Sequence, residues 1–309
     1  MHVLLTGATG FVGAHLARRL LHDGCRVSAL LRPTARLDRI ADLLPQMGRI
    51  DGDLAAPARY AAALRADPPD LCVHLAWYAV PGRYLHATEN LAWVTASLAL
   101  LEALHAVGCP RTVFVGTCVE YDTSYGYLSE TTPARPASLY AACKHSLYLT
   151  GAQFQARQGR SFAWPRLFYQ YGPWEDARRL VPLIIGKLRA GDPCPLTVGS
   201  QIRDYLHISD VAGAIWAVAQ SALEGPVNIG SGQPISVAAL AQQVGALLGR
   251  PDLLQLGAIP LPPGEPPFIC ANPTLLRTTG WQPQYDLRTG VADTVAWWQA
   301  QSHAAGDTR

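Results

Sequence analysis

The sequence predicts an α/β fold in which a doubly wound parallel sheet is joined to a smaller, interleaved C-terminal part. Three observations predict it. Short apolar runs alternate with stretches of helical periodicity over roughly the first 170 residues, the pattern of a parallel sheet with crossover helices. A glycine-rich turn joins the first run to the first helix. After Tyr171-Gly172-Pro173 the alternation gives way to Pro- and Gly-rich segments separated by apolar helical patterns.

The elements follow in order. His2-Val3-Leu4-Leu5 reads as a short buried strand. Thr6-Gly7-Ala8-Thr9-Gly10-Phe11-Val12-Gly13 follows it, and Ala14 to Leu21 reads as an amphipathic helix. A strand, a Gly-rich turn and a helix start form the pyrophosphate cradle of a Rossmann-type dinucleotide fold. In it Gly7 permits the tight turn, Gly10 lets the backbone approach phosphate, and Gly13 lets helix and strand pack closely. Strands are expected at Arg26–Leu31, Gly48–Leu54 with its exit, Leu71–Leu75, Arg111–Gly116 and Ser161–Leu167. Helices are expected at Ala87–Val107 and Ser138–Arg157. Pro and Gly cluster at 191–199 and 257–267, and Val227-Asn228-Ile229 is expected to return to the sheet. The division expected is a dinucleotide-binding domain of 1–172 with about 203–231, and a second, substrate-binding part of about 173–202 with 232–309.

Composition narrows the function classes. The chain has 309 residues and a formal net charge of +2, so electrostatics argue for neither nucleic acid nor an anionic membrane. No apolar run reaches the ~20 residues that span a bilayer. The first strand begins at residue 2, which leaves no room for a signal peptide and points to the cytoplasm. The seven cysteines (25, 72, 109, 118, 143, 194 and 270) are scattered without Cys-x-x-Cys, as expected of reduced thiols and not of a zinc site.

Tyr140 and Lys144 stand four apart on the expected helix, on one face and one turn from each other. An ammonium at that distance would favour the phenolate and lower the tyrosine pKa toward neutrality. Such a tyrosine exchanges a proton with an alcohol or carbonyl. The pair occurs by chance in many helices and gains its weight here from the phosphate cradle upstream. Cofactor choice is read at the end of the second strand. Leu30-Leu31-Arg32-Pro33-Thr34-Ala35-Arg36 carries no acid for a ribose 2′-hydroxyl, and Arg32 and Arg36 suit a 2′-phosphate. NADP(H) is therefore favoured; NAD(H) remains open if Arg32 only stacks on adenine.

Further segments join the glycine turn and Tyr140-x-x-x-Lys144: Gly52-Asp53-Leu54, His74-Leu75-Ala76, Gly116-Thr117-Cys118-Val119-Glu120-Tyr121, Arg166 to Pro173, and Arg203 to Val211. In this order and spacing the chain resembles an extended short-chain dehydrogenase/reductase of the nucleotide-sugar epimerase, dehydratase and reductase group, over essentially its whole length. The resemblance implies a catalytic set of Thr117, Tyr140 and Lys144: Thr117 bonding the substrate oxygen, Tyr140 as general acid or base, Lys144 holding the nicotinamide ribose. It implies cofactor contacts from Gly7, Thr9, Gly10, Phe11, Val12, Asp53 (at the adenine amine), Leu54, Leu75 and Ala76, beside Tyr140, Lys144 and the two arginines. It implies a substrate wall of Trp77, Tyr78, Thr117, Cys118, Tyr169 and Val181, with Arg203 on the sugar-nucleotide pyrophosphate. Many relatives have Asn at the Tyr169 position, so this tyrosine must work differently. Relatives also pair through the two long helices, and the apolar Leu98, Leu101, Leu147 and Leu149 on them suit a homodimer.

In dehydratases of this group the Thr is followed by Asp-Glu, which eliminate water. Here the two positions are Cys118 and Val119, Val119 cannot carry a proton, and Glu120 is one residue late. The expected reaction is reduction, or reversible oxidation, at C4 of a nucleoside-diphosphate 4-keto-6-deoxy sugar. A 4-epimerase is the first alternative, and a free-ketone reductase or a non-catalytic dinucleotide sensor the others. No metal is called for.

Overall fold

A computed structural model describes residues 1–306. In chain order the strands are β1 (His2–Thr6), β2 (Arg26–Leu31), β3 (Gly48–Asp51), β4 (Leu71–His74), β5 (Arg111–Phe114), β6 (Gly116–Thr117), β7 (Tyr127–Leu128), β8 (Ser161–Leu167), β9 (Tyr169–Tyr171), β10 (Cys194–Leu196), β11 (Ile202–His207), β12 (Gly225–Ile229), β13 (Pro234–Ser236), β14 (Leu254–Leu256) and β15 (Phe268–Ala271). The helices are α1 (Phe11–His22), α2 (Pro57–Ala66), α3 (Glu89–Ala106), α4 (Leu139–Arg157), α5 (Leu180–Ala190), α6 (Ile208–Gln220), α7 (Val237–Leu247), α8 (Thr274–Arg277) and α9 (Leu287–Gly306).

The main sheet runs β12-β8-β5-β4-β1-β2-β3, with the short β6 also on β8. Every pairing in it is parallel. This is the doubly wound Rossmann-type arrangement that the alternating pattern predicts. Apart from the exposed edge strand β3, its strands are largely buried on both faces, so side chains alternate between two cores. Val3 and Leu5 of β1 pack under α1 and α6 with Leu16, Leu20, Ile215 and Trp216. Leu4 faces the other way, with Leu64 of α2, Leu100 and Leu104 of α3, Leu147 of α4 and Trp164. A third core joins α5, α7 and α9 through Ile184, Ile185, Leu240, Val244 and Val291.

Two smaller sheets lie outside this frame, β13-β11-β15-β7 with β9 on β11, and the pair β10-β14. Arg203 to His207 therefore ladders in the small sheet, although the sequence reading places it with the dinucleotide half; only α6 and β12 of that stretch return to the main sheet. The third strand stops at Asp51, so Asp53 and Leu54 lie in its exit loop. Asp204 of β11, fully buried, ties its strand to the loop after β12 and to β15. It accepts from the Ser231 hydroxyl at 2.6 Å and from the backbone N–H of Ser231, Gly232 and Ala271 at 2.8, 2.9 and 3.1 Å. All seven cysteines are buried and free of disulfides. Among the described residues no helix is long and apolar enough to cross a membrane.

Candidate active site

The carboxyl ends of the parallel strands open into one cleft of about 710 Å³. Ligands of open α/β sheets sit there, where the strand order reverses. At one end is the glycine turn. Gly7 has φ +75°, and a Cβ on it would lie 2.7 Å from the Ala76 amide nitrogen. A Cβ on Gly13 would run into the Gly7 carbonyl oxygen, so this residue packs α1 against the turn, as its spacing predicts. Gly10 caps α1 without a side-chain hydrogen bond. The first-turn N–H groups of α1 thus have no side-chain acceptor at the cap, which suits them to a phosphate. Thr9, Phe11 and Val12 line the same end, as do Leu54, Leu75, Ala76 and Arg32.

At the other end α4 begins. Ser138 caps it, its hydroxyl accepting from the Ala141 N–H at 3.2 Å, and Tyr140 falls in the first turn. The Tyr140 N–H donates to the Leu85 carbonyl at 3.0 Å, and its ring meets Tyr84 edge-on at 4.9 Å. Thr117 lines the same end of the cleft beside it. Thr117 is held by a turn that requires four other residues. Its N–H donates to Glu120 Oε1 at 2.8 Å, and Glu120 also accepts from Trp164 Nε1 at 3.0 Å and Arg166 Nε at 3.0 Å. A Cβ on Gly116 would collide with both Trp164 and Glu120. Glu120 is therefore committed to the scaffold and turned from the cleft. The cause is a 3₁₀ turn at Cys118–Glu120.

Several expectations are corrected. Burial, then the neighbouring Tyr84, raises the Tyr140 pKa, where the Lys144 ammonium was expected to lower it. Lys144 Nζ donates instead to the Val115 carbonyl at 2.8 Å and sits 3.9 Å from the Trp77 ring centroid. Burial lowers its own pKa to about 7, so it is no steady cation beside the phenol. Arg36 points out and pairs with Asp38, leaving Arg32 and Arg39 as the cleft's arginines at that end. Asp53 accepts from the Ala55 N–H at 2.9 Å as a turn aspartate and does not line the cleft, nor does Tyr78. Arg203, 2% exposed, is bound to Glu265 and to the Ile202 carbonyl behind Tyr169, 5.5 Å from its ring, and it too stays outside the cleft. Cys118 lines the cleft with Tyr169 and Val181, but burial pushes its thiol up to about 12, which leaves it a small apolar wall residue.

Other residues of the cleft escaped the sequence reading. Tyr84 follows Trp77 and Tyr78 in the same loop, and Tyr205 lies within the matched segment Arg203 to Val211 without a role given to it, while Arg39, Glu175 and Arg179 had no motif to mark them. Arg39 donates to the carbonyls of Thr9 and Trp174, tying the glycine turn to the loop before α5. Arg179 lies 5.3 Å from the Tyr84 ring.

Residues 3–230 match the profile of the NAD dependent epimerase/dehydratase family. The chain belongs to this family. It is 28% identical to a dTDP-glucose 4,6-dehydratase of Xanthomonas campestris pv. campestris, over 96% of this chain and 92% of that one. It is also 28% identical to a dTDP-4-dehydro-6-deoxy-D-allose reductase of Streptomyces bikiniensis, over 96% of each. Among solved structures, the UDP-glucose 4-epimerase of Thermus thermophilus in complex with NAD superposes with a TM-score of 0.84 at 26% identity, covering 97% of this chain and 99% of that one. The chain is thus an enzyme of the extended short-chain dehydrogenase/reductase nucleotide-sugar group, whose members here include dehydratases, a reductase and epimerases.

Proposed function

We propose that this family member is an NAD(P)-dependent oxidoreductase that reduces, or reversibly oxidises, C4 of a nucleoside-diphosphate 4-keto-6-deoxy sugar. The observation that carries the reading is that Tyr140, Thr117 and Lys144 line one cleft together with the glycine turn. A bound nicotinamide would supply or accept the hydride. Tyr140 keeps its proton at neutral pH because burial penalises the phenolate, which suits a donor to a keto oxygen as that carbon is reduced. The Thr117 hydroxyl orients the same oxygen. Lys144, one turn further along α4, would reach the nicotinamide ribose. Gly7, Thr9, Gly10, Phe11 and Val12 would hold the pyrophosphate, and Leu54, Leu75 and Ala76 the adenosine and nicotinamide flanks. Arg32, the residue just after β2 that lines the cleft, is a cation and favours the 2′-phosphate of NADP(H). Residues 1–172 with α6 and β12 would form the cofactor half, and the remainder the sugar-nucleotide half.

Dehydration lacks its carboxylates, since Cys118 and Val119 hold those positions and Glu120 is spent on Thr117, Trp164 and Arg166. The likeness to the Streptomyces bikiniensis reductase supports reduction. The likeness to the Thermus epimerase bound to NAD supports 4-epimerisation as the second reading. One experiment separates them. Supplied with a dTDP-4-keto-6-deoxyhexose and NADPH, the enzyme should oxidise one cofactor per sugar reduced. Interconversion of C4 epimers without net cofactor oxidation would replace the reading with epimerisation. In the same assay Tyr140→Phe should lower kcat by ~10²–10⁴-fold while leaving the cofactor Kd unchanged. Undiminished turnover in that variant would remove Tyr140 from the chemistry.

A further inference from the structure

Glu175 carries a buried oxygen that neither the fold nor the proposed chemistry uses. It lies in the loop between β9 and α5 and lines the cleft. Its Oε2 is buried and has no hydrogen-bond partner among the described residues. Buried polar atoms in folded proteins nearly always have partners, so a lone acceptor at a cleft wall marks a place for a ligand's donor. Arg179 is the positive charge near the carboxyl group, and Asp176 is the nearby acid.

The backbone before Glu175 is held in an uncommon state. Trp174 has φ 71°, a left-handed conformation that side chains other than glycine rarely adopt. Arg39 donates to its carbonyl from Nε at 3.1 Å and from Nη2 at 2.9 Å. Its ring packs against Trp297 at 5.0 Å. A strained residue fixed from two sides sets the direction of the next side chain, and such strain gathers at ligand sites. The charged and aromatic neighbours of Glu175 place it at the Tyr140 end. Tyr205 lines the same cleft and stands 5.7 Å from Tyr169, and Arg179 stacks on Tyr84, which touches Tyr140.

We infer that Glu175 is a substrate-specificity residue, its free Oε2 accepting a hydrogen bond from a hydroxyl of the sugar held against Tyr140. This rests on the reading of the cleft as a nucleotide-sugar site. Burial pushes the Glu175 carboxyl up to about 8, so at neutral pH it is mostly protonated and binds a neutral hydroxyl without burying a charge.

The test is steady-state kinetics of the full chain with the nucleotide sugar it turns over, for wild type, Glu175→Leu, Glu175→Ala and Glu175→Gln. Removing the acceptor in the Leu and Ala variants should raise KM roughly tenfold, with kcat within about threefold of wild type. The Gln variant, which keeps a carbonyl acceptor, should recover most of the affinity. The Kd for NADPH should not move. A KM unchanged in both the Leu and Ala variants overturns the inference, and so does a loss confined to cofactor affinity. If wild type turns over no nucleotide sugar, the functional reading fails; if it does and KM is indifferent to residue 175, only the role of Glu175 fails.

Discussion

The Tyr140–Lys144 pair shows how a motif can be right in place and differ in state. Spacing brings both side chains to the cleft, but Lys144 is drawn to the Val115 carbonyl and the Trp77 face, where its charge is disfavoured. This has a consequence for stability. The Lys144 pKa falls from 10.5 to about 7 on folding, so between those values the unfolded chain binds more protons than the native one. The Lys144 contribution to stability therefore rises with pH through that window. Lys144→Met should exceed wild type in urea midpoint by most at and below pH 7, with the gap narrowing toward pH 10. A gap that is flat with pH would show that Lys144 stays charged in the native protein. Arg203 is the opposite case. Its motif matches, yet its partner Glu265 lies 62 residues away in sequence, on a segment that no local pattern ties to it.

Among the elements, the β1-turn-α1 unit is the one most completely legible in the chain. Its glycines serve different ends, and substitution separates them. A Cβ on Gly13 meets the Gly7 backbone, which cannot move without breaking the turn, whereas Gly24 has φ +75° and open space around it. Gly13→Ala should cost about 3 kcal/mol, the upper end for overpacking. Gly24→Ala should cost about 1 kcal/mol, from backbone strain alone. Urea unfolding of the two variants measures both, and equal losses would contradict close packing at Gly13. The turn after β5 was less legible. The sequence reading ends the strand at Gly116 and names no turn after it, but Trp164 and Arg166 on β8 draw Glu120 back and close a 3₁₀ turn.

For the molecule as a whole, the long helices α3 and α4 were expected to have apolar surface to spare. Packing between them and against the sheet consumes Leu101 and Leu147 and half-covers Leu98, while Leu91 is 57% and Leu149 51% exposed. We propose that these two outward leucines belong to a homodimer face built from α3 and α4. Leu91→Glu with Leu149→Glu should convert a dimer to a monomer in light scattering, without loss of the helical circular dichroism signal. An unchanged mass would place any self-association elsewhere.

The sequence by itself determined the alternating sheet, the glycine turn and the order of Thr117, Tyr140 and Lys144, because each is written in short-range periodicity or spacing. Only the tertiary structure decided which charges face the cleft. Arg36, Asp53 and Arg203 are satisfied by other partners, Arg39 and Glu175 take places that no motif marks, and Lys144 is held where burial lowers its pKa to about 7. The reason is that a side chain's charge and direction depend on partners and on desolvation from segments distant along the chain, and these exist only once the chain is folded.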